Sequence, residues 1–292
     1  MRHAVIDIGT NTVKLLVADV RDGEVSPIIS KDITTRLGGG LGETRHLSLI
    51  AISRTIHAIA DYVADAREHG ASEITALTTS AARDADNRQA FLAAVREQTG
   101  VAVEVITGQR EAELIFRGVS SDPAFASDRL LVMDIGGGSA EFVLGQAGQV
   151  ERSCSLPLGA VRLTEKFPEF ADLAEFLRTT LHRELARFGN ARLIATGGAS
   201  TTLVKILKGR VDHATFTLDE VRALVTRLNA MSLDERKRLP GLPPERADII
   251  VAGGAVVLFA METLDALELT VSIRNLRYGV LAETARQGFP RP

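Results

Sequence analysis

The stretch "VMDIGGGSAEFVLG", residues 132–145, sets three consecutive glycines between an apolar run that ends in an aspartate and a second strand-like run. A backbone without side chains over three residues marks a place where something approaches closely. Residues 5–18, "VIDIGTNTVKLLVA", have the same layout. Laying Asp7 on Asp134, an offset of 127 residues, puts Gly9 on Gly136, Thr12 on Ser139 and Leu15-Leu16-Val17 on Phe142-Val143-Leu144. Each copy then meets a turn signal, "RDGEVSPII" in the first and "GQAGQVERSCSL" in the second, and resumes as a strand. The register predicts a duplicated chain whose halves each open with an antiparallel meander.

Beyond each meander, strands alternate with helices. Residues 48–69 carry a 3.6-residue apolar period between a Ser cap and Gly70. "EITALTT" (73–79) reads as a buried strand, "NRQAFLAAVREQTG" as a helix closed by Gly100, "VAVEVI" as a strand and "GQREAELIFRGV" as a helix. The second half repeats the alternation, with a helix over about 172–188, the strand "RLIATG", further helices and the late strand "LELTVSI". The pattern predicts an α/β protein of two similar lobes. The Ser-, Asp- and Pro-containing run "SSDPAFASDR" (120–129) marks the boundary, giving lobes over 1–122 and 123–292; "KRLPGLPPER" (237–246) is a breaker-rich loop within the second.

Composition narrows the function. A chain of 292 residues with 45% hydrophobic and 24% charged side chains can bury a sizeable core. A net charge of −3 supplies no general basic field for nucleic acid or acidic lipid. The single cysteine, Cys154, excludes an internal disulfide and a multi-thiolate zinc site. The first strand starts too early for a signal peptide, and the longest apolar run, "IIVAGGAVVLFAM", is too short to cross a bilayer, so a cytoplasmic location is expected. The six histidines show no metal spacing, and no Ser-His-Asp order is present.

A strand that turns tightly through glycine exposes successive N–H groups, which bind anions without cationic side chains. Asp7 through Thr12 and Asp134 through Ser139 each provide such a turn. "ATGGAST" (195–201) follows a strand and opens a helix, a setting in which helix-end N–H groups hold phosphate. Any one glycine cluster is equally a plain hairpin: "LGGGLGE" (37–43) reads as a mobile connecting loop, and "AGGAVVLF" (252–259) as close helix packing. Taken together, the duplicated turns and the later Gly-Gly imply a cleft with phosphate donors on both walls.

The duplicated Asp-x-Gly turns with a later T-G-G resemble the actin, sugar-kinase and heat-shock-chaperone superfamily. The fuller set is similar to the exopolyphosphatase and guanosine pentaphosphate phosphatase (Ppx/GppA) family: "DIGTNTVKLLVA", "TTSAARDADN", "VEVITGQREAELIF", "DIGGGSAEFV", "SLPLGAVRLTEKF", "ATGGAST", "RADIIVAGGA" and "LRYGVL", in the family's order across the chain. The resemblance implies two ribonuclease H-like (actin-like) lobes, each a mixed five-stranded sheet flanked by helices, with the active site between them. Two positions depart from the family pattern. Ile273 and Asn275 stand in "VSIRNLRYG" where Asp-x-Gly-Leu-Arg is usual, and "GQREA" places Arg110 where an acid is usual.

The same resemblance implies release of terminal orthophosphate from inorganic polyphosphate, guanosine pentaphosphate (pppGpp) or both, with Mg²⁺ or Mn²⁺. It casts Glu111 as the general base on the attacking water and Arg83 as the contact to the phosphoryl group in transfer. Asp134 and Glu141 become the metal carboxylates, with Asp7 acting through water. Lys14, the counterpart of Glu141, has the opposite charge, which suggests that one half holds metal and the other phosphate. Gly9, Thr10, Asn11 and Thr12 would hold one side of the terminal phosphates and Gly136, Gly137, Gly138 and Ser139 the other. Gly197 and Gly198 would extend the phosphate track or meet a nucleotide. Family likeness also points to a homodimer, while charge and hydropathy exclude nucleic acid and membrane as partners. Two rivals share the turns: an ATP-dependent small-molecule kinase, and a nucleotide-binding module without turnover.

Overall fold

The computed structural model describes residues 1–21 and 24–287, so the turn expected at Asp22 and Gly23 lies outside it. The first half forms β1 (Arg2–Ile8), β2 (Thr12–Arg21), β3 (Glu24–Thr34), α1 (Leu41–Thr44), α2 (Leu49–Glu68), β4 (Glu73–Thr78), α3 (Ser80–Asp84), α4 (Arg88–Thr99), β5 (Val103–Val105) and α5 (Gly108–Ser120). The second forms β6 (Arg129–Ile135), β7 (Ala140–Gln146), β8 (Gln149–Leu156), α6 (Ala160–Lys166), α7 (Phe170–Leu185), β9 (Arg192–Thr196), α8 (Gly197–Lys208), β10 (Thr215–Thr217), α9 (Leu218–Ala230) and α10 (Leu233–Lys237). A 3₁₀ turn (Pro244–Arg246), α11 (Ile250–Thr263), β11 (Glu268–Val271) and α12 (Leu276–Gln287) follow.

The strands join into a five-stranded sheet, β3-β2-β1-β4-β5, and a six-stranded one, β10-β11-β9-β6-β7-β8. Both are mixed: β1 and β6 pair antiparallel with the next strand and parallel with β4 and β9, respectively. The duplication extends to local detail. Ile8 faces Val13 across the first hairpin and Ile135 faces Ala140 across the second. Gly9 N donates to Thr12 O at 3.1 Å, and Gly136 N to Ser139 O at 3.0 Å. Even the bulges correspond, falling at Val17/Ala18 and Leu144/Gly145, again 127 residues apart. The two sheets differ from the expected five-plus-five in one respect: the short β10 adds a sixth strand antiparallel to β11.

Local signals account for the helix ends. The Ser48 hydroxyl accepts from Ala51 N at the start of α2, and Gly100 closes α4 in the left-handed region at φ 74°. Each lobe has its own core, one centred on Ile6, Leu15, Ile59 and Phe91 and the other on Met133, Phe142, Leu181 and Phe259. A third core lies between the sheets. There α5, from the first half, packs on β7 and β8, while α12, from the second half, packs on β1, β2 and β3. Val5 and Leu16 of one sheet, Val132 and Val143 of the other, Phe116 of α5 and Leu281 of α12 are all buried in this layer. The halves therefore exchange a helix across the interface, and the two helices cross through glycine. A β-carbon on Gly118 would sit 2.9 Å from the carbonyl carbon of Asn275, and one on Gly279 would sit 2.6 Å from that of Leu114.

Candidate active site

The meander turns bring the two Asp-x-Gly segments face to face at the sheet ends. A β-carbon on Gly137 would lie 3.1 Å from Asn11 Cβ, and one on Gly138 would lie 2.5 Å from the hydroxyls of Thr10 and Ser80. The glycines that open the sequence are thus required by the opposing lobe itself, which leaves no space for a side chain. Among the described residues, the main-chain N–H groups of Thr10, Asn11, Gly137 and Gly138 donate to no protein acceptor, and Thr10 Oγ1 and Asn11 Oδ1 are buried without a hydrogen-bond partner. Buried polar groups left open in this way call for a polar ligand.

The "LGGGLGE" segment is not a free connection. Leu37 is fully buried, Gly38 N donates to Thr10 O at 2.9 Å, and Thr35 N and Arg36 N both donate to Asn11 O. The segment clamps the first turn, and the sequence misled because glycine composition alone resembles a loose loop. From its far side, Gly40 N donates to Glu165 Oε1 at 2.9 Å, and Arg36 grips Asp248 at 2.6 and 3.0 Å. Both ties cross between the lobes.

Around the turns lies a narrow cavity of about 80 Å³, space for roughly six waters. Asp7, Glu111, Asp134 and Glu141 line it together with Gly9 to Thr12, Gly136 to Ser139 and Gly198. The carboxylates come from fixed elements: Asp7 and Asp134 near the ends of β1 and β6, Glu141 opposite Asp134 on β7, and Glu111 in the first turn of α5. Burial pushes Glu111 up to about 8, with Arg83 pulling it down and Asp7 and Asp134 adding to the rise. Burial also lifts Asp134 to about 6 against the pull of Lys14. Glu141 is raised by burial and by the facing Glu111 and Asp134, although Ser155 Oγ donates to it at 2.7 Å.

Arg83 sits at the rim. Its Nη1 donates to Ile106 O at 2.9 Å and to Glu111 Oε2 at 3.2 Å, which holds acid and guanidinium side by side. Gly197 does not line the cavity but shapes it. Its φ is +85°, and a β-carbon there would overlap Asp134 Oδ1, so the backbone of α8 fixes that carboxylate.

Two cations complete the lining. Lys14 faces Asp7 in the hairpin register and has no ion pair or hydrogen bond to another side chain among the described residues. Arg246, from the 3₁₀ turn in the breaker-rich loop, lies against Gly198 with its side chain only 12% exposed and its Nη2 3.5 Å from Asp32. Sequence reading missed Arg246; its only signal is an arginine at the end of a Pro-rich loop. Arg277 is buried and donates to Leu15 O at 2.7 Å. The departures from the family pattern also resolve. Arg110 turns away to pair with Glu283 of α12, Ile273 is exposed, and the Asn275 side chain accepts from Arg277 N at 3.1 Å. Cys154 is a bystander, its thiol pushed up to about 12 by burial and by nearby Glu184 and Glu141.

The donor set suits a hard divalent cation. Among the described residues, no three His, Cys, Asp or Glu side chains converge to enclose a metal. Mg²⁺ does not need that: one or two carboxylates, waters and phosphate oxygens suffice. Four carboxylates crowded in one cavity, three of them raised in pKa, also create a demand for positive charge that Lys14, Arg83 and Arg246 meet only in part. Among the described residues no helix is long and apolar enough to cross a membrane.

Residues 16–287 match the model of the Ppx/GppA phosphatase family. The chain is 32% identical over 300 residues to exopolyphosphatase 1 of Mycobacterium tuberculosis, covering 96% of this chain and 87% of that one. It is 34% identical over 320 residues to exopolyphosphatase 2 of the same organism, with 97% and 98% covered. The crystal structure of the Aquifex aeolicus Ppx/GppA family member superposes with a TM-score of 0.83 at 30% identity, covering 100% of this chain and 99% of that one.

Proposed function

The chain belongs to the Ppx/GppA phosphatase family, and on that footing we propose that it hydrolyses phosphoanhydrides, releasing terminal orthophosphate from inorganic polyphosphate, with pppGpp as a second substrate. The observation that carries this reading is the Glu111–Arg83 pair, 3.2 Å apart, at the edge of a cavity walled by two turns with open amides. The terminal phosphate lies between the turns and accepts from the amides of Thr10 and Asn11 on one side and Gly137 and Gly138 on the other. Arg83 holds a non-bridging oxygen and balances charge as the transition state forms. Glu111 accepts a proton from a water whose oxygen attacks phosphorus as the bridging P–O bond breaks. A carboxylate whose proton affinity is raised is a stronger base for that step.

Asp134 and Glu141 would hold Mg²⁺ or Mn²⁺ beside the phosphates, with Asp7 reached through water. Held by these carboxylates, a divalent cation would supply charge neutralisation at the leaving oxygen. Lys14 and Arg246 also line the cavity and would face the part of the substrate that is not transferred. The two actin-like lobes, divided near residues 120–129, would hinge there to admit substrate. Family membership further suggests a homodimer, which light scattering tests.

The deciding experiment measures Mg²⁺-dependent phosphate release from tripolyphosphate, long-chain polyphosphate and pppGpp by the natural chain and by Glu111→Gln. Loss of a general base is expected to lower kcat about 10²- to 10⁴-fold with the melting temperature unchanged or raised, since a neutral amide replaces a buried acid. Release that ignores the substitution, or no release from any of the three substrates, refutes the proposal.

A further inference from the structure

Beside the cavity the structure opens widely. Ser139 lines both the cavity and a groove of about 620 Å³ that also takes in Arg83, Arg162 and Ser153. Arg83 and Arg162 continue into a second groove of about 570 Å³ with Arg45 and Arg88. Four arginines therefore face two aspartates, Asp84 and Asp86, along one continuous path. The path begins at the arginine that touches Glu111 and lies apart from Lys14 and Arg246, which line only the cavity.

The arginines are arranged as if holding places for an oxyanion. Arg83 uses only Nη1 on protein acceptors, while its Nη2 lies by Gly108, which lines the first groove. Arg88 Nη1 donates to the main-chain carbonyl of Arg83 at 3.2 Å, which holds the Arg88 guanidinium to the α3 backbone. Arg162 spans the lobes, with Nε donating to Gly138 O at 2.9 Å and Nη2 paired with Ser80 and Asp84. Arg45 pairs with Asp86. Both aspartates are about half exposed, and exposed ion pairs are worth little, about 1 kcal/mol or less. A dianion offered to Arg162 or Arg45 therefore displaces a carboxylate cheaply, and a guanidinium presents a fork that fits phosphate oxygens.

We propose that this arginine path is a second phosphate subsite, which receives orthophosphate from Arg83 after cleavage and passes it through Arg162 to solvent. The proposal rests on the hydrolytic reading above. It assigns the substrate chain to the Lys14 and Arg246 side and the product to the Arg162 side, so the enzyme empties at one end while the shortened chain stays bound at the other.

The test titrates the full chain with inorganic phosphate by calorimetry and follows phosphate inhibition of polyphosphate turnover, in the natural protein, Arg162→Ala and Asp84→Asn. Losing a charge-assisted contact is expected to weaken phosphate binding about tenfold in Arg162→Ala. Asp84→Asn breaks the same interlobe tie but removes the competing carboxylate, so its phosphate affinity stays equal or rises. If Asp84→Asn instead weakens binding as Arg162→Ala does, the residue acts by closing the lobes and the subsite is refuted. Phosphate should inhibit the natural protein without competing with polyphosphate, and Arg162→Ala should lose that component. Purely competitive inhibition overturns the proposal. So does a KM that rises in Arg162→Ala for long chains but not for tripolyphosphate, which would mean that the groove holds substrate. Calorimetry needs no turnover: phosphate binding that depends on Arg162 in a chain that hydrolyses none of the three substrates defeats the hydrolytic reading and keeps the subsite.

Discussion

Replacing Gly279 with alanine tests the exchanged helices most directly. The residue is helical, so intrinsic propensity alone favours alanine by about 1 kcal/mol. Packing opposes it, because the new β-carbon would sit 2.6 Å from the Leu114 carbonyl carbon and 3.0 Å from its Cα, and closer still to the carbonyl oxygen. Relief to a carbon–carbon contact of roughly 3.6 Å requires α5 and α12 to part by about 1 Å, since the obstacle is backbone rather than a side chain that could rotate away. A gap of that width forfeits a quarter to a half of each local dispersion contact, and here the affected side chains include the buried Leu114, Ile115, Val280 and Leu281. Overpacking costs about 1–3 kcal/mol, and a backbone obstacle puts this crossing at the upper end; set against the propensity gain, this leaves Gly279→Ala less stable by about 2 kcal/mol. At about 2 °C per kcal/mol for a chain of this size, thermal unfolding followed by circular dichroism should show a fall of roughly 4 °C. Gly118→Ala strains the same crossing, so the double variant should cost less than the sum, because one separation relieves both clashes. A melting temperature that rises in Gly279→Ala, as propensity alone would give, refutes this account of the crossing.

Two other substitutions test the surroundings of the site. Gly197→Ala should cost about 1–2 kcal/mol for placing a β-carbon at positive φ, and should lower kcat for phosphate release at least about tenfold by pushing on Asp134; near-natural kcat would show that this carboxylate does not need its fixed position. For Glu283, burial pushes the carboxyl up, but Arg110 and Arg117 more than offset this and hold it below the usual range. A depressed carboxylate stabilises the fold above its unfolded value of about 4.3 and loses that contribution as pH falls through the folded value. The gap in melting temperature between the natural chain and Glu283→Gln should therefore be open at neutral pH and close toward pH 3; a gap that is the same at both refutes the linkage.

What the sequence revealed was whatever the chain writes locally. The 127-residue offset carried the turns and the antiparallel meanders, because each is set by residues within a few positions of one another. The acids were visible for the same reason, lying inside motifs. Arg246 was not, because what gives it meaning is its position beside Gly198 and near Asp32, the latter 214 residues away, and nothing in its own loop sets it apart from Arg238. Residues 37–43 misled because glycine reports backbone freedom and not what the freedom is for; the contact of Gly38 with Thr10 is tertiary. β10 has three residues, too few to show a period of two. Which sheet α12 covers is set by tertiary contacts with β1, β2 and β3 and is not written in its own residues.

That dependence has a consequence in time. Protein chains leave the ribosome in order, and the first half usually begins to fold while the rest is being made. Here β1, β2 and β3 emerge first, but the helix that covers one side of them, α12, is synthesised after every other described element. Until then Val5 and Leu16 face a layer that lacks Leu276, Tyr278 and Leu281. The lobe that is made first is finished last. A nascent chain stalled anywhere before α12 exposes an apolar sheet face, which is a surface for a chaperone to hold.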